Sequence, residues 1–575
     1  MHKFCFIFFL FFIHCFADEL KPPQEEMSLH LNWIKDILQT RYAPLEWKKL
    51  HLNFDIEKEL EKHLKKISLL QPPFIKNYQK IIKSFLNTFQ DHHLHVTFFS
   101  TESASLPFNI KTIEEGSFVS EVDSDHWPKD QTVLQVGDQI LSFNDLPIKE
   151  ALKKLKKEIG EKNQPLTQQA LADQLLTFRL GELGNDVPQG KVKIVFKNIA
   201  QEICQIEIDW SYLPERINRP YLFLLNLFND INAPSLEKKL YHLLQKIKVS
   251  NSFYQLQLKE KKSRKEKIGD LHGPLPPLGE IIWTYPSSQV ALEELPHKSG
   301  EGSYLEKINW FAYLYKSPHG KKIGYLRIPH YHGAQEEFVS AIPLIAHLEK
   351  ISDGLVIDQL SNPGGSLLFM HQVLSLLTPY PLQIPKHQVA LTQKEVMEAI
   401  TELDELASFQ DFSFNEEILQ KKYYHSMVNY YQTLIDEWQK GKNLTDPLYL
   451  GGVESVEPFR VHYSKPILML INELDFSAAD FAPAILQDNG RAILMGTNTA
   501  GAGGAVSSFS FPNQYGIKEI FLTDTIAVRK GLQKIENLGV FPDIEYRITS
   551  EDLKNNYSGY VQAINCVMEN LLSFD

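Results

Sequence analysis

The chain has 575 residues, of which 43% are apolar and 23% charged, with a formal net charge of −12. That length is too great for one hydrophobic core and calls for two to four domains. The composition is that of a folded soluble protein, and the negative balance argues against nucleic acid as the main partner, because phosphate binding needs a cationic face.

The chain opens with "MHKFCFIFFLFFIHCFADEL". Lys3 gives a basic head, Phe4 to Ile13 an apolar block, and Ala17 a small residue before a polar segment. This is the pattern of a secretory signal peptide over residues 1–17, and the block is too short to span a bilayer. Cys15 follows a bulky His14, which argues against a lipid anchor. No later run is long and apolar enough for a spanning helix, so an exported, soluble mature chain without a stable membrane anchor is expected, in the periplasm or outside the cell. Cys5 and Cys15 lie in the signal. Cys204 and Cys566 alone offer neither a disulfide framework nor a cysteine metal motif.

Residues 18–104 are expected to form a helical domain. "LNWIKDILQTRY" and "FIKNYQKIIKSFLNTF" carry Leu, Ile and Lys at helical spacing, and "QDHHLHVTFFS" then reads as a strand. Residues 105–212 read as a small β-rich module, with strands at "FVSEV", "LQVGDQILSFND" and "GKVKIVFKN" and an amphipathic helix at "IKEALKKLKKEI". Residues 213–285 read as a connector. They hold the basic run "LKEKKSRKEKIGD" and the breaker-rich "LHGPLPPLGE", an easy proteolytic target. Residues 286–575 read as α/β. The apolar runs "KIGYLRIP", "GLVIDQL", "PILMLIN" and "RAILMG" have strand length, and helical segments such as "GSLLFMHQVLSLL" lie between them. That alternation implies a mainly parallel sheet covered by helices.

Two loops of this last domain carry chemistry. "DQLSNPGGS" (358–366) leaves one strand and "ELDFSAAD" (473–480) leaves another. In a parallel sheet both emerge at the same edge, where active sites sit. Ser477 stands where a strand gives way to a helix. That place suits a nucleophile and equally suits an ordinary helix cap. Gly364 and Gly365 leave their backbone N–H groups unshielded, and the Ala478 N–H points out of a helix start. Together these three are candidates for an oxyanion hole. Pro483 either delays the regular helix or kinks it. A nucleophilic serine needs a base, either a lysine or a histidine held by a carboxylate.

"GLVIDQLSNPGG", "FSAAD" and "NLGVFPD" (537–543) resemble the tail-specific (S41-type) serine peptidases. Many of these pair the serine with a lysine in a Gly-Lys-Gly. Here that stretch is "TAGAGGAV", with Ala502 at the lysine position. A histidine branch of the same superfamily is more similar. The likeness is carried in order by "DHHLHVTFF", "YLRIP", "IDQLSNPGGS", "IPKHQVALTQKEV", "INELDFSAADF", "GTNTAGAGG" and "IENLGV". It implies an α/β multidomain fold: an N-terminal helical domain, a PDZ-like β-rich module, and a C-terminal α/β (ClpP/crotonase-like) catalytic domain. By position it implies that Ser477 is the nucleophile, His93 the base and Glu536 the orienting acid, with no cofactor and no metal. His95 stands where the branch would have glycine. The resemblance further implies polypeptide substrates, those of a host cell among them. It implies a zymogen that cuts out residues 213–285, a homodimer when active, and the host cytosol as a further destination.

PDZ-like modules bind extended peptides by strand addition. "SLPFNI" (105–110) would be the carboxylate-binding loop, with a purely structural module as the alternative. Two rival readings of the whole chain stand beside the peptidase. One is a non-catalytic peptide-binding protein on the same fold, with Ser477 as a cap. The other is a metal-dependent hydrolase built on His92, His93 and His95, of which His93 and His95 would share one face of a strand.

Overall fold

The computed structural model describes residues 23–128, 133–160, 164–215, 275–285, 310–333, 335–408 and 418–573. The expected signal peptide, and all of the expected self-processed segment except its two ends, lie outside these residues.

Among the described residues the N-terminal part holds four helices, Pro23–Arg41, Leu45–Leu52, Ile56–Ser68 and Phe74–Asn87. Helical spacing of apolar residues gives each a buried stripe, such as Leu31, Ile34 and Leu38 on the first and Tyr78, Ile82 and Phe85 on the fourth. Asp55 caps the third helix by accepting from the N–H groups of Glu57 and Lys58. These stripes do not close on one another alone. Their core also takes Tyr515, Ile517, Ile520 and Leu522 from the C-terminal part. The strand His95–Phe98 pairs antiparallel with Ile517–Thr523. A shared core and a shared sheet thus fix the chain around His93 against the α/β domain.

The β-rich module is a six-stranded antiparallel sheet spanning Phe108 to Asp209. The expected strands appear as Gly116–Val122, Gln139–Phe143 and Lys191–Lys197, and the expected helix as Ile148–Ile159. A second helix, Pro165–Thr177, was not foreseen. The carboxylate-loop expectation for residues 105–110 needs correction. Ser103–Ser105 is a strand paired on both edges, and Leu106 donates its N–H to the Thr177 carbonyl at 2.8 Å. Among the described residues this stretch runs from one paired strand almost directly into the next, at Phe108–Ile113.

The C-terminal domain is built on a seven-stranded sheet. Lys322–Arg327, Gly354–Asp358, Ile467–Ile471, Ile493–Gly496 and Ile544–Glu545 run parallel in that spatial order, and Phe311–Lys316 and Glu280–Thr284 extend one edge antiparallel. Strand periodicity explains the continuous apolar runs, because both faces are covered. Leu355, Ile357, Met469 and Ile471 point into one core, beneath the helices Gln335–Ile351, Leu367–Ser375 and Ala478–Asp488. Val356, Leu468 and Leu470 point into the other, shared with Tyr560, Ile564 and Met568 of the helix Ser558–Leu571. Glu280–Thr284 was expected in the connector; it is the edge strand, so the domain begins upstream of residue 286. Two further helices, Gln393–Ser408 and Ile418–Gln439, were not foreseen. Among the described residues no helix is long and apolar enough to cross a membrane.

Candidate active site

The strands Gly354–Asp358 and Ile467–Ile471 are parallel neighbours, so the loops after them leave the sheet side by side. They are laced together. Ser361 donates its N–H to Asn472 Oδ1 at 2.9 Å, Asn362 to Asp475 Oδ1 at 3.0 Å, and Phe476 to the Asn362 carbonyl at 2.9 Å. Ser477 sits at the crest of the second loop, half-buried, with φ 58° and ψ −120°. An ordinary helix cap has β-region angles. A non-glycine residue held at positive φ costs about 1–3 kcal/mol and persists only where its surroundings enforce it. These are the angles of a strained strand-to-helix elbow, the geometry in which a nucleophile can be presented, and Ser477 also forms a capping box with Asp480.

The enforcement comes from the helix Ala478–Asp488. Asp480, in its first turn, is buried and accepts four hydrogen bonds. They come from the N–H groups of Ser477 (2.9 Å), Gly501 (2.8 Å) and Ala502 (2.9 Å) and from Thr499 Oγ1 (2.5 Å). Burial pushes its carboxyl up to about 6 against the pull of these donors. Ala502 is wholly buried at the position where a lysine base would stand. The helix starts at Ala478, ahead of Pro483, so the late start does not occur. Pro483 has no N–H for the Ala479 carbonyl four residues back. Gln359 Nε2 supplies the missing donor at 2.9 Å and also reaches Asp475 Oδ2 at 3.1 Å.

The three oxyanion candidates meet at the elbow, but they are not equivalent. A Cβ on Gly364 would fall 2.8 Å from Ser477 Cβ and 2.9 Å from Ala478 N, so only glycine lets the first loop lie this close. The Gly364 N–H, however, is donated to Asn362 Oδ1 at 2.8 Å. Gly365 is held by pairing with Tyr331, whose N–H bonds Gly364 O and whose carbonyl accepts from Ser366. Among the described residues neither the Gly365 N–H nor the Ala478 N–H has an acceptor. Gly365 and Ala478 are therefore the available pair, and Gly364 serves as the close-packing residue.

His93 lies in a bend before the strand His95–Phe98, not on it. His93 and His95 therefore do not share a strand face. The His95 ring lies flat on Phe521 with centroids 4.6 Å apart, and its Nδ1 meets the His93 carbonyl at 2.9 Å. Among the described residues no three His, Cys, Asp or Glu are grouped to hold a metal ion. The segment Gln90–His93 spans from the Ser477 loop to the Glu536 loop. At one end the His92 ring meets the Phe476 ring edge-on at 5.2 Å. At the other, Asn537 Nδ2 donates to the Gln90 carbonyl at 2.7 Å. The His93 N–H is donated to Asp91 Oδ1 at 2.7 Å. His93 Nδ1, the nitrogen an orienting carboxylate would meet, is buried and has no hydrogen-bond partner among the described residues. Burial lowers the His93 pKa, with Asp91 opposing and Lys48 assisting. Burial therefore favours the neutral imidazole, the form a general base needs.

Glu536 is fully buried. Its Oε1 accepts from Lys48 Nζ at 2.5 Å and its Oε2 from the Gly503 N–H at 3.2 Å. Burial and the Asp91 anion push its carboxyl up to about 7, against Lys48 and the Gly503 N–H. Asp91 itself is held well below the usual carboxylate range. Its burial is outweighed by Lys48, His93 and the hydroxyls of Thr523 and Tyr42. Among the described residues no hydrogen bond links Ser477 to His93 or His93 to Glu536. The structure gathers the three segments without closing the relay. Sequence reasoning missed Lys48, Asp91, Gln359 and Asn362. Asp480 was legible as the fourth residue of a Ser-x-x-Asp capping signature.

Residues 322–546 match peptidase family S41, and residues 102–217 match a PDZ domain. A Chlamydia pneumoniae protein is 32% identical to this chain, over 94% of this chain and 90% of its own length. A Chlamydia trachomatis serovar D protein is 31% identical, over 97% and 96%. Among solved structures, mature CPAF (the chlamydial protease-like activity factor) covers 96% of this chain and 98% of its own at 29% identity and a TM-score of 0.76. Its complex with lactacystin gives a TM-score of 0.77 at 29% identity, covering 96% and 99%. The elbow, the loops beside it and these relatives converge on one conclusion: the chain belongs to peptidase family S41 and is a serine peptidase that acts on polypeptides.

Proposed function

We propose that the chain is an exported endopeptidase that works through Ser477, His93 and Glu536 by way of an acyl-enzyme. The observation that carries this reading is the strained Ser477 elbow, with two uncommitted N–H groups beside it. Ser477 Oγ attacks the scissile carbonyl carbon as His93 takes its proton. The carbonyl oxygen becomes an oxyanion between the N–H groups of Gly365 and Ala478, each worth about 3 kcal/mol of transition-state stabilisation. Collapse breaks the C–N bond, and the leaving amine takes the proton from His93. Water, deprotonated by His93, then attacks the ester, and Ser477 regains its proton as the acid product leaves. Glu536 fixes the imidazole tautomer and stabilises the imidazolium. The relay closes in this reading when substrate arrives, since such hydrogen bonds often tighten in the Michaelis complex.

The reading extends to a zymogen that removes part of residues 213–285 by its own activity, to a homodimer as the active form, and to host polypeptides as substrates. The basic, breaker-rich sequence of that segment and the likeness to mature CPAF support it. The test follows the chain from residue 18 onward by intact mass over hours, beside Ser477→Ala. Cleavage between residues 213 and 285 in the wild type alone is expected. If neither chain is cut and neither degrades an unfolded protein, the zymogen reading fails and a peptide-binding role replaces it.

A further inference from the structure

The strongest unexplained feature is a buried cation. Lys48 lies on the short helix Leu45–Leu52 and is wholly buried. Its neighbour Lys49 behaves as lysines ordinarily do, exposed and paired with Glu46. A lysine ammonium has three N–H donors. Those of Lys48 go to Glu536 Oε1 at 2.5 Å, Asn537 Oδ1 at 2.7 Å and the Gln90 carbonyl at 3.3 Å. All three acceptors belong to two segments, the loop carrying Glu536 and the turn that leads into His93. Burying an ammonium is costly unless each proton is matched, so a simple core role is poorly served by this residue.

We propose that Lys48 is a positioning residue for catalysis, holding the Glu536 carboxyl in place to serve His93 and favouring its charged form. The inference rests on the Ser477–His93–Glu536 reading. The groups facing Glu536 are Lys48, Asp91 and Tyr42, with His93 beside Asp91. Asp91 has its oxygens committed to Tyr42, Thr523 and the His93 N–H, and it stays anionic. Two carboxylates thus share one buried space, and Lys48 is the cation that lets both carry charge. Without it, burial and Asp91 both press Glu536 toward the neutral acid. A neutral acid gives the imidazolium no counter-charge.

The test measures labelling of Ser477 by a fluorophosphonate across neutral pH, with thermal unfolding alongside. The chains are wild type, Lys48→Met, Lys48→Arg, Glu536→Gln and the double variant Lys48→Met/Glu536→Gln. Lys48→Met is expected to label about tenfold more slowly at neutral pH, with its acid limb moved up by about one unit or more. Lys48→Arg keeps the charge and restores the limb. In the Glu536→Gln background, Lys48→Met changes the rate by less than about threefold, because the effect runs through Glu536. An unmoved limb in Lys48→Met, or an equal loss in both backgrounds, overturns the proposal. If Lys48→Met does not fold, a folded double variant supports the ion-pair role and an unfolded one overturns it in favour of packing. A folded wild type that takes no label sinks the peptidase mechanism itself. A labelled wild type with an unmoved Lys48→Met limb sinks only the role of Lys48.

Discussion

Gly364→Ala is a sharp perturbation of the elbow because the added methyl meets backbone and Cβ atoms, not flexible side-chain ends. It would fall 2.4 Å from the Phe476 carbonyl oxygen, 2.8 Å from Ser477 Cβ and 2.9 Å from Ala478 N. A comfortable C···O approach is about 3.3 Å, so one loop must withdraw by about 1 Å. No rotamer offers an escape, and the position keeps φ at +89°, which strains any L residue. Overpacking of this kind costs about 1–3 kcal/mol, which lowers the melting temperature by roughly 2–5 °C in a domain of this size. A misplacement of about 1 Å at a reacting centre costs on the order of 100-fold in rate. The folded variant at room temperature should therefore label with a fluorophosphonate about 100-fold more slowly, while its circular dichroism matches the wild type. Labelling within about threefold of wild type would refute the claim that Gly364 seats the nucleophile.

Other expectations follow from buried charges and the backbone. The Glu536 carboxyl is raised from 4.5 to about 7, so the folded state holds this proton longer than the unfolded chain. Its contribution is complete below about pH 4.5 and is lost as pH rises through about 7, on the order of 3 kcal/mol in all. Melting temperature against pH should show this decline in the wild type and not in Glu536→Gln, while peptidase activity gains an acid limb near pH 7 as the carboxylate forms. Equal slopes in the two chains would contradict the assignment. Glu473 behaves oppositely. It is buried, and Lys111 of the PDZ domain at 2.9 Å, with Thr497, overcomes its burial and brings its carboxyl down to about 2. That contribution is present above about pH 4.5 and lost as pH falls through about 2. Lys111→Met should cost about 3–5 kcal/mol at neutral pH and markedly less in acid, where Glu473 takes up a proton; a pH-independent loss would contradict the pair. Gln359→Leu should cost about 1–3 kcal/mol by stranding the Ala479 carbonyl. Adding Pro483→Ala, which returns an N–H to the helix, should recover about 1 kcal/mol of that in a melting assay, and no recovery would contradict the pairing.

The sequence exposed the parts of the fold that local pattern decides. Unbroken runs such as "GLVID" and "ILMLI" read as two-sided strands because alternate residues enter two cores. Placement of Gly364, Gly365 and Ser477 together followed from two such strands being parallel neighbours. What was not legible depends on distant partners or on masked stripes. Helix Pro165–Thr177 buries Thr167, Asp173 and Thr177, so its inner face does not look apolar. The edge strand "EIIWT" (280–284) hides behind a proline-rich run that suggests only a linker. Lys48 falls on a helix where a lysine reads as solvated, and its burial is decided by Glu536, 488 residues away. The commitment of the Gly364 N–H to Asn362 was available locally, since asparagine two residues before a turn commonly accepts such a bond.

The most direct test of the account is where a serine-directed phosphonate lands. The full chain from residue 18, its Ser477→Ala form and its His93→Ala form would be treated with a fluorophosphonate and mapped by peptide mass. The account predicts one adduct, on Ser477, absent from the alanine form and formed at least about 100-fold more slowly without His93. An untouched Ser477 in the folded wild type, or an adduct on another serine that persists in Ser477→Ala, would contradict it.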